Sequence, residues 1–201
     1  MEMSTEMTST LAPTPGQTVG PFFGYALPFD KGHELVPSGT AGAVRLHGTI
    51  TDGEGKAIPD AMFELWQADA NGDVVHQPGS LLREDVFTGW GRVETNREGG
   101  YWFRTIEPGA KDGKAPFFVL TVFARGLMNR LFTRIYLPEN EAALAADPLL
   151  SSLPEDRRRT LIATREADGS LRFDVRLHVE DETVFLTYDS GEFAGKDGVC
   201  A

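Results

Sequence analysis

The sequence predicts an all-β protein, a two-sheet antiparallel β-sandwich with an extended N-terminal arm and little helix. Three observations carry this reading. Eight or nine short segments alternate apolar with polar residues or run almost wholly apolar, as strands do. Gly, Pro, Asn and Asp clusters punctuate them at short intervals. Only one stretch has the composition of a helix.

Residues 1–12 are polar and are expected to be disordered. Residues 13–43 read as arm and loop. Pro13, Pro15 and Pro21, with Gly16 and Gly20, exclude a helix and stiffen an extended chain, while Phe22 and Phe23 give it something to bury. Such an arm straps either its own domain or a neighbour. The sandwich is expected over residues 44–190, followed by a flexible tail, 191–201. Its strands begin at 44–51, where Val44, Leu46, Gly48 and Ile50 alternate with Arg45, His47, Thr49 and Thr51. The turn 52–55 leads to a strand at 61–68, and the turn 69–73 to an irregular connection, 74–87. Segments 90–95 and 101–106 flank Asn96-Arg97-Glu98-Gly99-Gly100 and predict a hairpin. The single expected helix, 139–146, is Ala-rich and closed by Asp147-Pro148; residues 154–159 add a turn. Strands at 160–165, 171–179 and 183–188 complete the set.

The stretch from Tyr101 to Leu137 organises the rest. A strand ends at Pro108-Gly109. Phe117–Phe123 is almost wholly apolar and fits a strand buried on both faces; residues 131–137 return as its partner. Arg134 stands out among β-branched and aromatic neighbours, because a charge in such a strand needs a partner. It either faces solvent, forms an internal ion pair, or binds an anion at the edge of a cavity.

Composition excludes several function classes. With 201 residues, 41% hydrophobic and 24% charged, the chain is long enough and apolar enough for an ordinary folded core. A net charge of −11 opposes nucleic-acid phosphates. The one cysteine, Cys200, cannot form an internal disulfide, no apolar run approaches the roughly 20 residues of a membrane span, and residues 1–10 carry two Glu and no Lys or Arg, unlike a signal peptide. A cytoplasmic location is expected. His33, His47, His76 and His178 stand too far apart for a local metal-ligand pair, and no phosphate-cradling Gly loop or Gly-x-Ser-x-Gly elbow occurs. Spacing alone marks no active site.

Four phrases, in order, carry a resemblance. They are Gln17-Thr18-Val19-Gly20-Pro21, Leu65-Trp66-Gln67-Ala68-Asp69-Ala70-Asn71-Gly72, Gly100-Tyr101-Trp102-Phe103-Arg104-Thr105-Ile106-Glu107-Pro108-Gly109, and Phe123-Ala124-Arg125-Gly126-Leu127. The chain resembles the intradiol ring-cleaving dioxygenases from about Pro13 to Tyr188. Catalytic members hold non-haem Fe(III) with two Tyr and two His, hard and borderline donors that suit a ferric ion. The matching positions here are Val74, Lys111, Val119 and Thr121. No Tyr lies between Tyr101 and Tyr136 and no His between His76 and His178, so slippage in the loop around Lys111 cannot restore the set. The resemblance therefore implies the iron-free α-type chain of a heteromeric member, with Fe(III) held by a partner β chain, αβ pairs in a higher oligomer, and no catalytic residue in this chain. It further implies that Thr18, Gly20 and Pro21 wall the shared pocket and that Arg134 faces the carboxylate of the substrate protocatechuate, cleaved with O2 to 3-carboxy-cis,cis-muconate. The alternative is a free-standing β-sandwich module that binds an aromatic carboxylate by itself.

Overall fold

The computed structural model describes residue 20 and residues 23–75 and 87–187. Cys200, His76, Tyr188 and most of the arm and tail lie outside them. The described chain runs α1 (Phe23–Ala26), β1 (Ala43–Thr51), β2 (Met62–Gln67), β3 (Trp90–Glu94), β4 (Gly100–Ile106), β5 (Phe117–Phe123), β6 (Leu131–Tyr136), α2 (Glu141–Ala146), α3 (Pro148–Ser152), α4 (Glu155–Arg159), β7 (Thr164–Arg165), β8 (Leu171–Arg172) and β9 (Val175–Arg176). Two sheets face each other, as the alternating patterns require. One has the order β3-β2-β5-β6, wholly antiparallel. The other has the order β4-β1-β8-β7, and β8 and β9 join β1 in parallel.

The inward residues of each strand supply the core. Phe63, Leu65, Phe118, Leu120, Val122 and Ile135 of one sheet meet Leu46, Ile50, Tyr101, Phe103, Leu171 and Val175 of the other. Phe63 and Tyr101 touch across the sandwich, with ring centroids 4.3 Å apart. Phe63 is fully buried. Phe63→Ala is expected to destabilise the fold by about 3–5 kcal/mol, read as a lowered denaturant midpoint at unchanged slope. A smaller cluster of Ala115, Tyr136, Leu144, Leu150 and Leu161 packs the helices against the far end of β6.

Several expectations are corrected. The 90–95 and 101–106 segments do not form a hairpin: β3 pairs with β2 and β4 with β1. The turn between them forms as expected, with Asn96 Oδ1 accepting from the Glu98 and Gly100 amides. Yet Thr95 is tied to Ala61 by its amide and hydroxyl, and Gly99 accepts from the Ile50 amide. These bonds send the two arms into different sheets.

The 171–179 strand is split. Between β8 and β9, Asp174 Oδ1 accepts from the Thr49 amide and hydroxyl, both at 3.0 Å, and the Phe173 carbonyl accepts from Tyr101 Oη at 2.7 Å. Side-chain groups here replace main-chain ladder bonds without shifting the register. His178, expected on the strand, lies beyond β9 with φ of 57°. Residues 183–187 make a single bridge, Leu186 to Phe132, and the Thr133 and Thr160 hydroxyls hold Val184. Of 160–165 only β7 is a strand: hydrogen-bonded turns back to α4 occupy residues 160–162, and Ile162 makes an isolated parallel bridge to Tyr136.

β5 buries one face fully and the other partly, because Phe117, Val119 and Phe123 are half-buried on the outer side. The loop expected at 30–43 contributes Leu35 to the core. Asp147-Pro148, expected to stop a helix, also starts one. Asp147 caps α3 by accepting from the Leu149 and Leu150 amides, and Pro148 takes the first helical position, where a missing N–H costs nothing.

Candidate functional site

Two of the sequence phrases meet at one end of the β2–β5 sheet. Asp69 Oδ1 accepts from the Asn71 and Asp73 amides, which closes the turn after β2. Those backbone bonds, foremost that from Asp73, hold the Asp69 carboxyl below its ordinary pKa. The turn then grips the second phrase. Gly109 N donates to Asp69 O at 2.8 Å, Gln67 Nε2 donates to Ile106 O at 2.9 Å, and the Thr105 hydroxyl donates to Gln67 Oε1. A Cβ at Gly109 would lie 2.6 Å from Gly72 N, so only glycine allows the approach.

The junction holds a cavity of about 460 Å³, lined by Trp66, Val74, Phe117 and Val119 among others, and by Lys111 and Lys114. Trp66 is 46% exposed and Val74 69%, large values for apolar side chains. Trp66 stands opposite Val119, and Val119 opposite Arg134, in the ladders of β2, β5 and β6. Three of the four positions singled out in the sequence, Val74, Lys111 and Val119, therefore share one cavity. Thr121 lies two residues further along β5, buried, and does not line it.

Lys111 Nζ bonds the Asp73 carboxylate, and that hydrogen bond raises its pKa, which keeps the ammonium charged. Gly20 has φ of 80°, a backbone suited to glycine, and among the described residues no atom lies within 4 Å of where a Cβ would stand; it is not a lining residue of the cavity. Thr18 and Pro21 lie outside the described residues.

Arg134 sits half-buried on β6, on the same sheet face as Val119. Its guanidinium carbon lies 4.3 Å from the centroid of Phe117, itself a cavity wall. Nη1 donates to Tyr136 Oη at 3.3 Å, and Tyr136 donates to Asp147 Oδ1 at 3.0 Å. Among the described residues no carboxylate forms an ion pair with Arg134, which leaves its remaining donors without an anion. Burial pushes the Tyr136 phenol up to about 12, against the opposing pull of Arg134, so it stays a neutral donor. The sequence reading missed Tyr136 and Asp147. The signal was the two-residue spacing that puts Tyr136 on the same face of β6 as Arg134.

The protein-family model described as dioxygenase matches residues 18–179. The chain belongs to the dioxygenase family. The expected resemblance to the intradiol dioxygenases is borne out by relatives. This dioxygenase chain is 41% identical over 200 residues to the protocatechuate 3,4-dioxygenase alpha chain of Burkholderia cepacia, covering 89% of this chain and 98% of that one. It is 34% identical over 152 residues to the beta chain of the same enzyme and organism, covering 68% of this chain and 64% of that one. Among solved structures, the dioxygenase domain of a dioxygenase–carbohydrate-binding protein fusion from Streptomyces sp. SirexAA-E shares 25% identity at a TM-score of 0.53, covering 84% of this chain and 99% of that one.

Ferric iron, which the family implies, does not fit the side chains at the four positions the resemblance marks. Val74 and Val119 have no donor atom, Lys111 offers a pinned cation, and Thr121 a neutral hydroxyl. Among the described residues no group of three or more His, Cys, Asp or Glu could hold a metal ion, and no helix is long and apolar enough to cross a membrane.

Proposed function

We propose that this chain is the α-type subunit of a protocatechuate 3,4-dioxygenase and acts with an iron-bearing β chain. The observation that carries the reading is that neither Tyr nor His stands at any of the four positions the resemblance marks for the ligands, Val74, Lys111, Val119 and Thr121, in a chain 41% identical to a named alpha chain over nearly its whole length. The β chain supplies the Fe(III) and the ring-opening chemistry, which turns protocatechuate and O2 into 3-carboxy-cis,cis-muconate. This chain supplies shape and charge. Thr18, Gly20 and Pro21 wall the shared pocket, where a glycine lets backbone approach a flat ring and a proline keeps it rigid. Arg134 receives the substrate carboxylate through its planar fork of donors, in a half-buried setting that strengthens the pair. Held there, the ring can present its hydroxyl-bearing edge in one orientation only, and that orientation selects a carboxylated catechol.

The test is expression with and without the β chain. The chain alone is expected to be colourless and inactive, and the co-expressed pair to show tyrosinate-to-iron absorption and to cleave protocatechuate. Visible absorption or turnover in the lone chain would overturn the assignment.

A second reading has its own support. The 460 Å³ cavity, mostly apolar and lined in part by Lys114, has the size and lining to hold an aromatic carboxylate unaided. Calorimetry of the lone chain with protocatechuate separates the two, since a free-standing module binds without a partner.

A further inference from the structure

We infer that Tyr136 and Asp147 form a positioning relay that fixes the Arg134 guanidinium for carboxylate recognition; this rests on the function proposed above. An arginine side chain has several rotatable bonds, so an unrestrained guanidinium would sample many placements and lose entropy on meeting its ligand. Here two contacts fix its plane. Phe117 lies beneath it, 4.3 Å from ring centroid to guanidinium carbon, and Tyr136 Oη accepts from Nη1 at 3.3 Å.

Tyr136 is in turn held from several sides. It is fully buried, its phenol donates to Asp147 Oδ1 at 3.0 Å, and its ring packs against Phe117 at 5.5 Å between centroids. Asp147 is anchored from the other side, since the same oxygen takes the Leu149 and Leu150 amides at the start of α3. A chain of bonds therefore runs from a helix start, through a buried phenol, to the guanidinium. It uses one guanidinium nitrogen and leaves the others for an anion.

The polarity of the relay suits the task. A carboxylate bonded directly to Arg134 would compete with the substrate. Asp147 stands one residue back, with a neutral phenol between, and so orients the cation without occupying its donors. Tyr136 is a positioning residue, not a catalytic one.

The experiment compares the α·β complex carrying Arg134→Ala, Tyr136→Phe, Asp147→Asn, or Arg134→Ala with Tyr136→Phe, using protocatechuate and catechol as substrates. Tyr136→Phe is expected to raise KM for protocatechuate roughly fivefold to tenfold, with kcat and the KM for catechol nearly unchanged. In the Arg134→Ala background the same change should add nothing, as two groups acting through one contact are not additive. Asp147→Asn keeps an acceptor for both helix amides and for the phenol, and should shift KM for protocatechuate in the same direction by a smaller factor. It provides the reading if Tyr136→Phe fails to assemble. If Arg134→Ala is selective for protocatechuate but Tyr136→Phe and Asp147→Asn are not, the relay is wrong and the proposed function stands. If Arg134→Ala is itself unselective, the relay and the carboxylate role of Arg134 both fall, while the subunit assignment is decided separately by iron and turnover in the lone chain.

Discussion

Replacing Arg134 with alanine in the α·β complex is expected to raise KM for protocatechuate by about thirtyfold to more than a hundredfold, while KM for catechol moves by less than about threefold. The size follows from what is removed. Truncating one member of a sheltered, hydrogen-bonded charge pair costs roughly 2–5 kcal/mol, and a half-buried guanidinium belongs at the lower end of that range, where each 1.4 kcal/mol is a factor of ten. The selectivity follows from chemistry: catechol has no carboxylate to lose. The substitution also removes the stacking of Arg134 on Phe117. That loss would soften the local fold by about 1 kcal/mol, which acts on both substrates alike. Steady-state kinetics on the two substrates therefore isolates recognition from stability. Equal responses would show that Arg134 is not the carboxylate contact.

The largest stability effect is expected at Gly48. A Cβ there would overlap the Phe173 carbonyl oxygen and lie 2.6 Å from its carbon. The obstruction is backbone and cannot rotate away. Phe173 is held in place by Tyr101 Oη at 2.7 Å and by its own amide, which donates to His47 O at 2.8 Å. Gly48→Ala must break this close approach of the link between β8 and β9 to β1 or push β1 away from it, at a cost of about 4 kcal/mol or more. Gly24→Ala is the control, because among the described residues nothing lies within 4 Å of its Cβ position and its φ is ordinary; it should change stability by no more than about 0.5 kcal/mol. The two midpoints in denaturant titration make the comparison. A Gly48→Ala chain as stable as the control would mean that the Phe173 backbone does not lie against β1 as described.

What could be read in the residues was what depends on local pattern. β1, β5 and β6 announce themselves by alternation or by continuous apolarity, and the structure places them within a residue of expectation. Arg134 was visible because a guanidinium is conspicuous among Phe132, Thr133, Ile135 and Tyr136. What failed depends on bonds between distant residues. The turn at Asn96 looks the same whether its arms pair with each other or part, and Thr95 to Ala61 decides which. The apolar alternation of Phe173, Val175 and Leu177 suggests one strand, but Asp174 reaches Thr49 and interrupts it. Asp147-Pro148 carries a stop signal and a start signal at once, and the local rules do not rank them. The cavity itself joins the turn after β2 to the Pro108-Gly109 turn, two phrases some forty positions apart, which only the fold brings together.

The central claim is that a scaffold of the intradiol type serves a metal centre it does not hold. Iron analysis by chain tests this most directly: the α·β complex is purified, its iron is measured, and the chain expressed alone in iron-supplemented medium is measured beside it. The account predicts about one iron per αβ pair in the complex and none above background in the lone chain. Stoichiometric iron in the lone chain, bound with tyrosinate absorption or with turnover, would contradict it.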